Sequence, residues 1–132
     1  MALYLGEDRI DASSPFGNAE FIQLFSNESY AFTAANTWEY IGLSITVPDG
    51  HLYLLRIIQT YNGTRPLGVG VHTATTISSW NAPSYNVQSP DTSQACGSGT
   101  FILPANSTYY IYGKAFGANT NKFSVYGLDF TI

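Results

Sequence analysis

Apolar and polar residues alternate along most of the chain, and turn-forming residues break the alternation at short intervals. No window carries a sustained i, i+3, i+4 apolar stripe with caps, so period 2 predicts an all-β chain. The clearest segment is Ile41-Gly42-Leu43-Ser44-Ile45-Thr46-Val47, in which β-branched or Leu residues alternate with small or polar ones. One face of that strand turns inward and the other outward. Pro48-Asp49-Gly50 then supplies a turn, since Pro presets φ and Gly accepts positive φ. The next strand, Leu52–Tyr61, is apolar on both faces: Leu52, Leu54 and Ile58 on one, Tyr53, Leu55, Ile57 and Tyr61 on the other. Such a strand is expected to be covered on both sides. Asn62-Gly63 ends it, and Leu67, Val69 and Val71 form the next, with Gly68 and Gly70 on the opposite face leaving room for close approach.

Shorter strands are expected at Ala2–Leu5, Glu20–Phe25 and Tyr30–Thr33, the last two separated by a turn at Ser26-Asn27-Glu28-Ser29, while Ala12–Asn18 reads as a linker. From Thr73 to Gly99 the pattern dissolves into Ser, Thr, Asn, Pro and Gln, with Trp80 and Tyr85 as the large aromatics. Long loop tracts in compact domains are commonly functional. Strands return at Thr100–Leu103, Tyr109–Phe116 and Phe123–Ile132, with turns at Pro104-Ala105-Asn106-Ser107 and Gly117–Asn121. Ser44–Leu55 and Thr100–Ile111 echo each other as apolar strand, Pro turn and Tyr-bearing strand. That echo suits two equivalent corners of a Greek-key sandwich. The expected fold is therefore an antiparallel β-sandwich of jelly-roll-like Greek-key type over residues 19–132, preceded by a strand and arm at 1–18.

Composition sharpens this picture. The 132 residues fit one domain. Only 11% are charged, with 9 acidic and 5 basic residues, while 10 Tyr, 8 Phe and 2 Trp supply aromatic surface. A neutral, aromatic-rich chain is the reverse of a disordered composition. Five scattered basic residues and a net charge of −4 give no phosphate-binding stripe, so nucleic acid is not an expected partner. The most apolar stretch, Leu52–Ile58, is short and carries Arg56, so no membrane insertion is expected. The opening Met1–Arg9 lacks the pattern of a signal peptide, and synthesis in the cytoplasm is expected.

No motif fixes an activity. His51 and His72 have no acidic or Cys partner at ligand spacing, and Asp49, Asp91 and Asp129 form no calcium loop, so no metal or other cofactor is expected. Cys96-Gly97-Ser98-Gly99 lacks the Gly-x-Ser-x-Gly frame and reads as a flexible turn. Glu7, Asp8 and Asp11 read as a solvated face rather than a glycosidase pair. Asn27, Asn62 and Asn106 each open an Asn-x-Ser/Thr triplet, but three are close to chance for this composition and are read as turn chemistry. The surface with functional character is aromatic and amide-rich: Trp38, Trp80, Asn81, Tyr85 and Asn86 are the candidate ligand-binding residues, because aromatic faces stack on sugar rings and amides hydrogen-bond without charge. The opposing expectation is that either Trp is a core or interface plug.

The unit Ile41–Tyr61, the Leu-Pro-Ala-Asn-Ser turn before Tyr109-Tyr110-Ile111-Tyr112, and the closing strand Val125-Tyr126-Gly127-Leu128-Asp129-Phe130 resemble the trimeric jelly rolls of the tumour necrosis factor and complement globular-head type. They resemble still more the versions at the tips of bacteriophage fibres, and Leu3–Ile10 is similar to Leu-Tyr-Leu-Gly openings of phage structural proteins. The resemblance covers residues 37–132 and 3–10. It implies a homotrimer packed about a three-fold axis, and the double-faced strand and its Tyr-rich partner give more apolar surface than one sandwich core needs. The candidate interface residues are Tyr53, Leu55, Ile57, Tyr61, Tyr110 and Tyr112. The expected role is a non-enzymatic virion protein of fibre, head or baseplate, made in the host cytoplasm, docking to other virion proteins through residues 1–18 and touching a host-surface glycan or receptor. A monomeric carbohydrate-binding module is the alternative. A cytokine-like or adhesive ligand and a small hydrolase are the more distant ones.

Overall fold

The structure is a computed structural model that describes residues 3–5, 8–10, 19–78 and 81–132. It is all-β, with ten strands: β1 (Leu3–Leu5), β2 (Asp8–Ile10), β3 (Ala19–Ala31), β4 (Glu39–Val47), β5 (His51–Thr60), β6 (Pro66–His72), β7 (Tyr85–Gln88), β8 (Ser98–Leu103), β9 (Ser107–Ala115) and β10 (Thr120–Thr131). β1 and β2 pair with each other, Leu3 opposite Ile10. The other eight form two four-stranded antiparallel sheets, ordered β3-β10-β5-β8 and β4-β9-β6-β7, packed as a sandwich. Pairing is nested, β6 with β7, β5 with β8, β4 with β9 and β3 with β10, which is the jelly-roll arrangement.

The core lies between the sheets. Leu55, Ile57, Leu103, Phe123 and Val125 from the first sheet meet Ile45, Val47, Val69, Val71 and Ile111 from the second, most with no exposed surface. Two predicted corners each carry the chain from one sheet to the other. Gly50 adopts φ +76 after Pro48-Asp49, and Asn106 adopts φ +63 after Pro104-Ala105. The corners are tied together: Asn106 donates its backbone N–H to Val47 O at 2.9 Å and its side-chain amide to Asp49 at 3.2 Å. Asn62 precedes Gly63 at φ +87, so the Asn-x-Ser/Thr triplets at Asn62 and Asn106 begin at turns, whereas Asn27, also at positive φ, lies within β3.

Three expectations need correction. Glu20–Phe25 and Tyr30–Thr33 are not separate strands. Ala19–Ala31 runs continuously, and the polar residues Ser26–Ser29 are absorbed as a bulged stretch, seen as register shifts against Phe123, Val125 and Tyr126. The tract from Thr73 to Gly99 is not all loop, because Tyr85–Gln88 pairs with Gly68–Val71 as an edge strand. The third concerns β5. Its inward face is Leu55, Ile57 and Gln59, with Tyr53 packed against the core, whereas Leu52, Leu54, Arg56 and Ile58 point away. Leu55 and Ile57 therefore belong to the sandwich interior and are unavailable to a partner. The linker Ala12–Asn18 lies outside the described residues.

Leu55→Ala tests this facing. Truncating a fully buried Leu should lower the unfolding free energy by about 3 kcal/mol in denaturant melts. A loss of less than about 1 kcal/mol would place Leu55 on an outer face.

Candidate functional site

The outer face of β4-β9-β6-β7 is organised by glycine. Lys114, Gly68 and Gln88 form one cross-strand row over β9, β6 and β7. Because Gly68 has no side chain, the Trp38 ring settles there; a Cβ at that position would lie 2.7 Å from a ring carbon. The Lys114 ammonium stands 5.6 Å from the Trp38 ring centroid and donates to Gln88 Oε1 at 3.0 Å. In the next row Gly70 accepts Pro83 and the Tyr85 carbonyl in the same way. Both glycines of β6 thus provide the close approaches that their spacing predicts.

Trp38 arrives on a connection built around one carboxylate. Glu39 accepts hydrogen bonds from Tyr30 Oη at 2.8 Å, from the Thr33 hydroxyl at 3.0 Å, and from the backbone N–H groups of Thr33 and Ala34. Burial acts to raise the Glu39 carboxyl, but the hydrogen bonds from Thr33, Tyr30 and Ala34 outweigh it and hold the group below its ordinary value. Burial, reinforced by Glu39, pushes Tyr30 up to about 12. Asn36 at φ +50 then donates to Ala115 O at 2.7 Å, turning the chain into Trp38.

The opposite wall comes from the connection between β6 and β7, where Asn81 N–H donates to Ser78 O at 3.0 Å. Trp38, Asn81, Gln88 and Lys114, with Asn36, Thr37 and Ser78, line a cleft of about 500 Å³. Underneath, Tyr112 donates to Ala74 O at 2.8 Å and packs with Tyr40 and His72, so this connection roofs an aromatic cluster outside the main core. Burial, with a smaller contribution from Tyr40, raises the Tyr112 hydroxyl.

Of the candidate ligand residues, the cleft unites Trp38 and Asn81. Asn86 does not line it: it donates to Pro83 O, accepts from Gln88, and borders the same depression as Tyr85. Tyr85, 45% exposed, lies instead in a separate depression with Ile102. Trp80 is outside the described residues. Lys114 and Gln88 were not candidates from sequence. The available signal was Lys114 standing on the same face of its strand as Tyr110 and Tyr112.

The candidate interface set needs the same correction as β5. Leu55 and Ile57 are core, Tyr112 is 1% exposed beneath the β6–β7 connection, and Tyr110 is half-buried against Tyr40. Tyr53 is half-buried, whereas Tyr61, 65% exposed, lies beyond the end of β5. The uncovered apolar surface is elsewhere. Phe21, Leu128, Leu54 and Ile102 form an unbroken row across the outer face of β3-β10-β5-β8. Phe21 stacks near Tyr126 at 6.2 Å, and a shallow depression of about 260 Å³ opens beside them.

His51 bonds Asp129 at 2.7 Å and His72 bonds Ser84 at 2.8 Å. Cys96 is half-buried, its N–H on Pro66 O. Among the described residues, no three His, Cys, Asp or Glu side chains converge as metal ligands, and no helix is long and apolar enough to cross a membrane.

Comparison with known families, characterised proteins and solved structures finds no match.

Glu39→Gln should lower stability at pH 7 by roughly 1 to 2 kcal/mol, since it removes a charged acceptor from several donors. A carboxyl held low in the folded state stabilises fully above its unfolded-state value, and that stability is lost as the pH falls through the folded-state value. The gap between wild type and Glu39→Gln should therefore close as melts are run at increasingly acid pH. A gap that does not change with pH would show that the charge is not what holds the connection.

Proposed function

We propose that this protein is a non-enzymatic structural module of a bacteriophage or prophage virion, on a fibre, head or baseplate, that works as a homotrimer and contacts a host-surface glycan through the Trp38 cleft. The observation that carries the reading is the apolar row Phe21, Leu128, Leu54 and Ile102. Phe21 and Ile102 are 68% and 61% exposed, and the row runs the full width of a sheet. Contiguous apolar surface of this kind marks an interaction site. Its setting supports self-association, because the double-faced apolar pattern of β5 calls for cover on both sides and the sandwich supplies only one. The trimeric jelly rolls that the sequence resembles bring one sheet of each protomer to their axis, which favours three copies. Residues 1–18 would then serve as the docking arm to neighbouring virion proteins.

A monomeric carbohydrate-binding module is the second reading, favoured by the cleft at Trp38. Mass separates the two. Analytical ultracentrifugation at micromolar concentration should give three times the chain mass, and Leu54→Arg, which places a charge in the middle of the row, should give single chains with the β-sheet spectrum retained. Wild-type protein that sediments as a single chain would rule out the trimer and leave the binding module standing.

A further inference from the structure

We propose that the cleft between Trp38 and Asn81 binds a saccharide that carries a carboxylate, with Lys114 as the partner of the acid group. This deepens the reading of that cleft as the glycan-contacting surface and is independent of the trimer. The chain has five basic residues, and Lys114 is the one that lines this cleft, where no Asp or Glu joins it. Among the described residues no carboxylate lies within ion-pair distance of Lys114. Its hydrogen bond goes to the neutral Gln88 amide oxygen. An ammonium has three donors, so capacity remains for an anion. Gln88 is itself held, donating to Asn86 Oδ1 at 3.3 Å, so the amide oxygen is aimed at Lys114 before any ligand arrives.

The rest of the lining selects a sugar over a simple anion. The Trp38 ring offers an apolar surface for the C–H face of a pyranose, and Thr37, Ser78 and Asn81 offer uncharged donors and acceptors for its hydroxyls. A volume of about 500 Å³ lies in the range of small-ligand sites. One lysine suits a monovalent carboxylate. Phosphate recognition favours an Arg fork or a nest of backbone N–H groups, and the cleft is lined by no Arg.

Calorimetric titration of the intact chain with oligogalacturonate and with neutral galacto-oligosaccharide reads the proposal directly. The acidic oligomer should bind at least about tenfold more tightly than the neutral one. Lys114→Gln should lose about that factor for the acid and bind both sugars alike, while Lys114→Arg should retain the preference for acid. Acetate and glycerol phosphate, as probes of a bare anion site, should not compete at comparable concentration. Equal binding of acidic and neutral sugars by the wild type, competition by acetate or glycerol phosphate, or no binding of either sugar at millimolar concentration would each overturn the proposal. The wild-type comparison stands even if a Lys114 variant fails to fold. Sedimentation of the same samples reports the trimer separately, so failure of one reading does not imply failure of the other.

Discussion

A two-layer sandwich has four sheet faces and can bury only two of them between its layers. Every strand here is bound by that limit, because side chains alternate sides at each residue and a strand must hand half of them to the outside. In this chain both outer faces carry aromatic or aliphatic side chains, and they are managed in opposite ways. The outer face of β4-β9-β6-β7 is covered from within, by the β6–β7 connection over Tyr112 and by Trp38 over Gly68. The outer face of β3-β10-β5-β8 keeps its row from Phe21 to Ile102 open. The covered face becomes a polar cleft with one cation, and the open face leaves Phe21 and Ile102 exposed.

The two surfaces differ in chemistry for the same reason. A side chain that crosses a sheet and closes over it needs a gap to lie in, and the glycines of β6 supply two in succession. The cover cannot be complete where Trp38 and the β6–β7 connection approach from opposite sides, and the cleft is what remains between them. The Glu39 carboxylate fixes one of those sides by gathering Tyr30, Thr33 and Ala34 around it. The cleft therefore rests on the chemistry of one connection as much as on the sheet.

Much of the sandwich was legible because period-2 alternation and Pro-Gly or Asn-Gly turns are local signals. The corners at Pro48-Asp49-Gly50 and Pro104-Ala105-Asn106 could be read as equivalent, and they meet in space. What escaped was anything decided by a neighbouring strand. Leu52–Tyr61 is visibly apolar on both faces, but its own sequence does not say which face the second sheet will take, and a one-residue choice moves Leu55 and Ile57 from interface to core. Tyr85–Gln88 is too short and polar to announce itself, and becomes a strand because β6 offers a free edge. Ser26–Ser29 reads as a turn, yet pairing with β10 on both sides keeps it within one strand, the extra residues taken up as a bulge. Trp38 and Asn81 stood out as candidates from their polar settings, and the structure places both along one cleft. Lys114 and Gln88 were not, since only the pairing of β9, β6 and β7 puts them in one row.

The nested pairing also sets the order in which the sandwich can assemble. Among its eight strands, β6 and β7 are the only sequence neighbours that pair. Each further layer of pairing joins segments that are farther apart, ending with β3 and β10, the first and last strands of the sandwich, and the entropy of closing such loops must be met before their contacts form. β10 lies between β3 and β5. The sheet that bears the open apolar row therefore stays split until β10 is in place, because Phe21 and Leu54 become neighbours only through Leu128, so that row is the last part of the sandwich to become continuous.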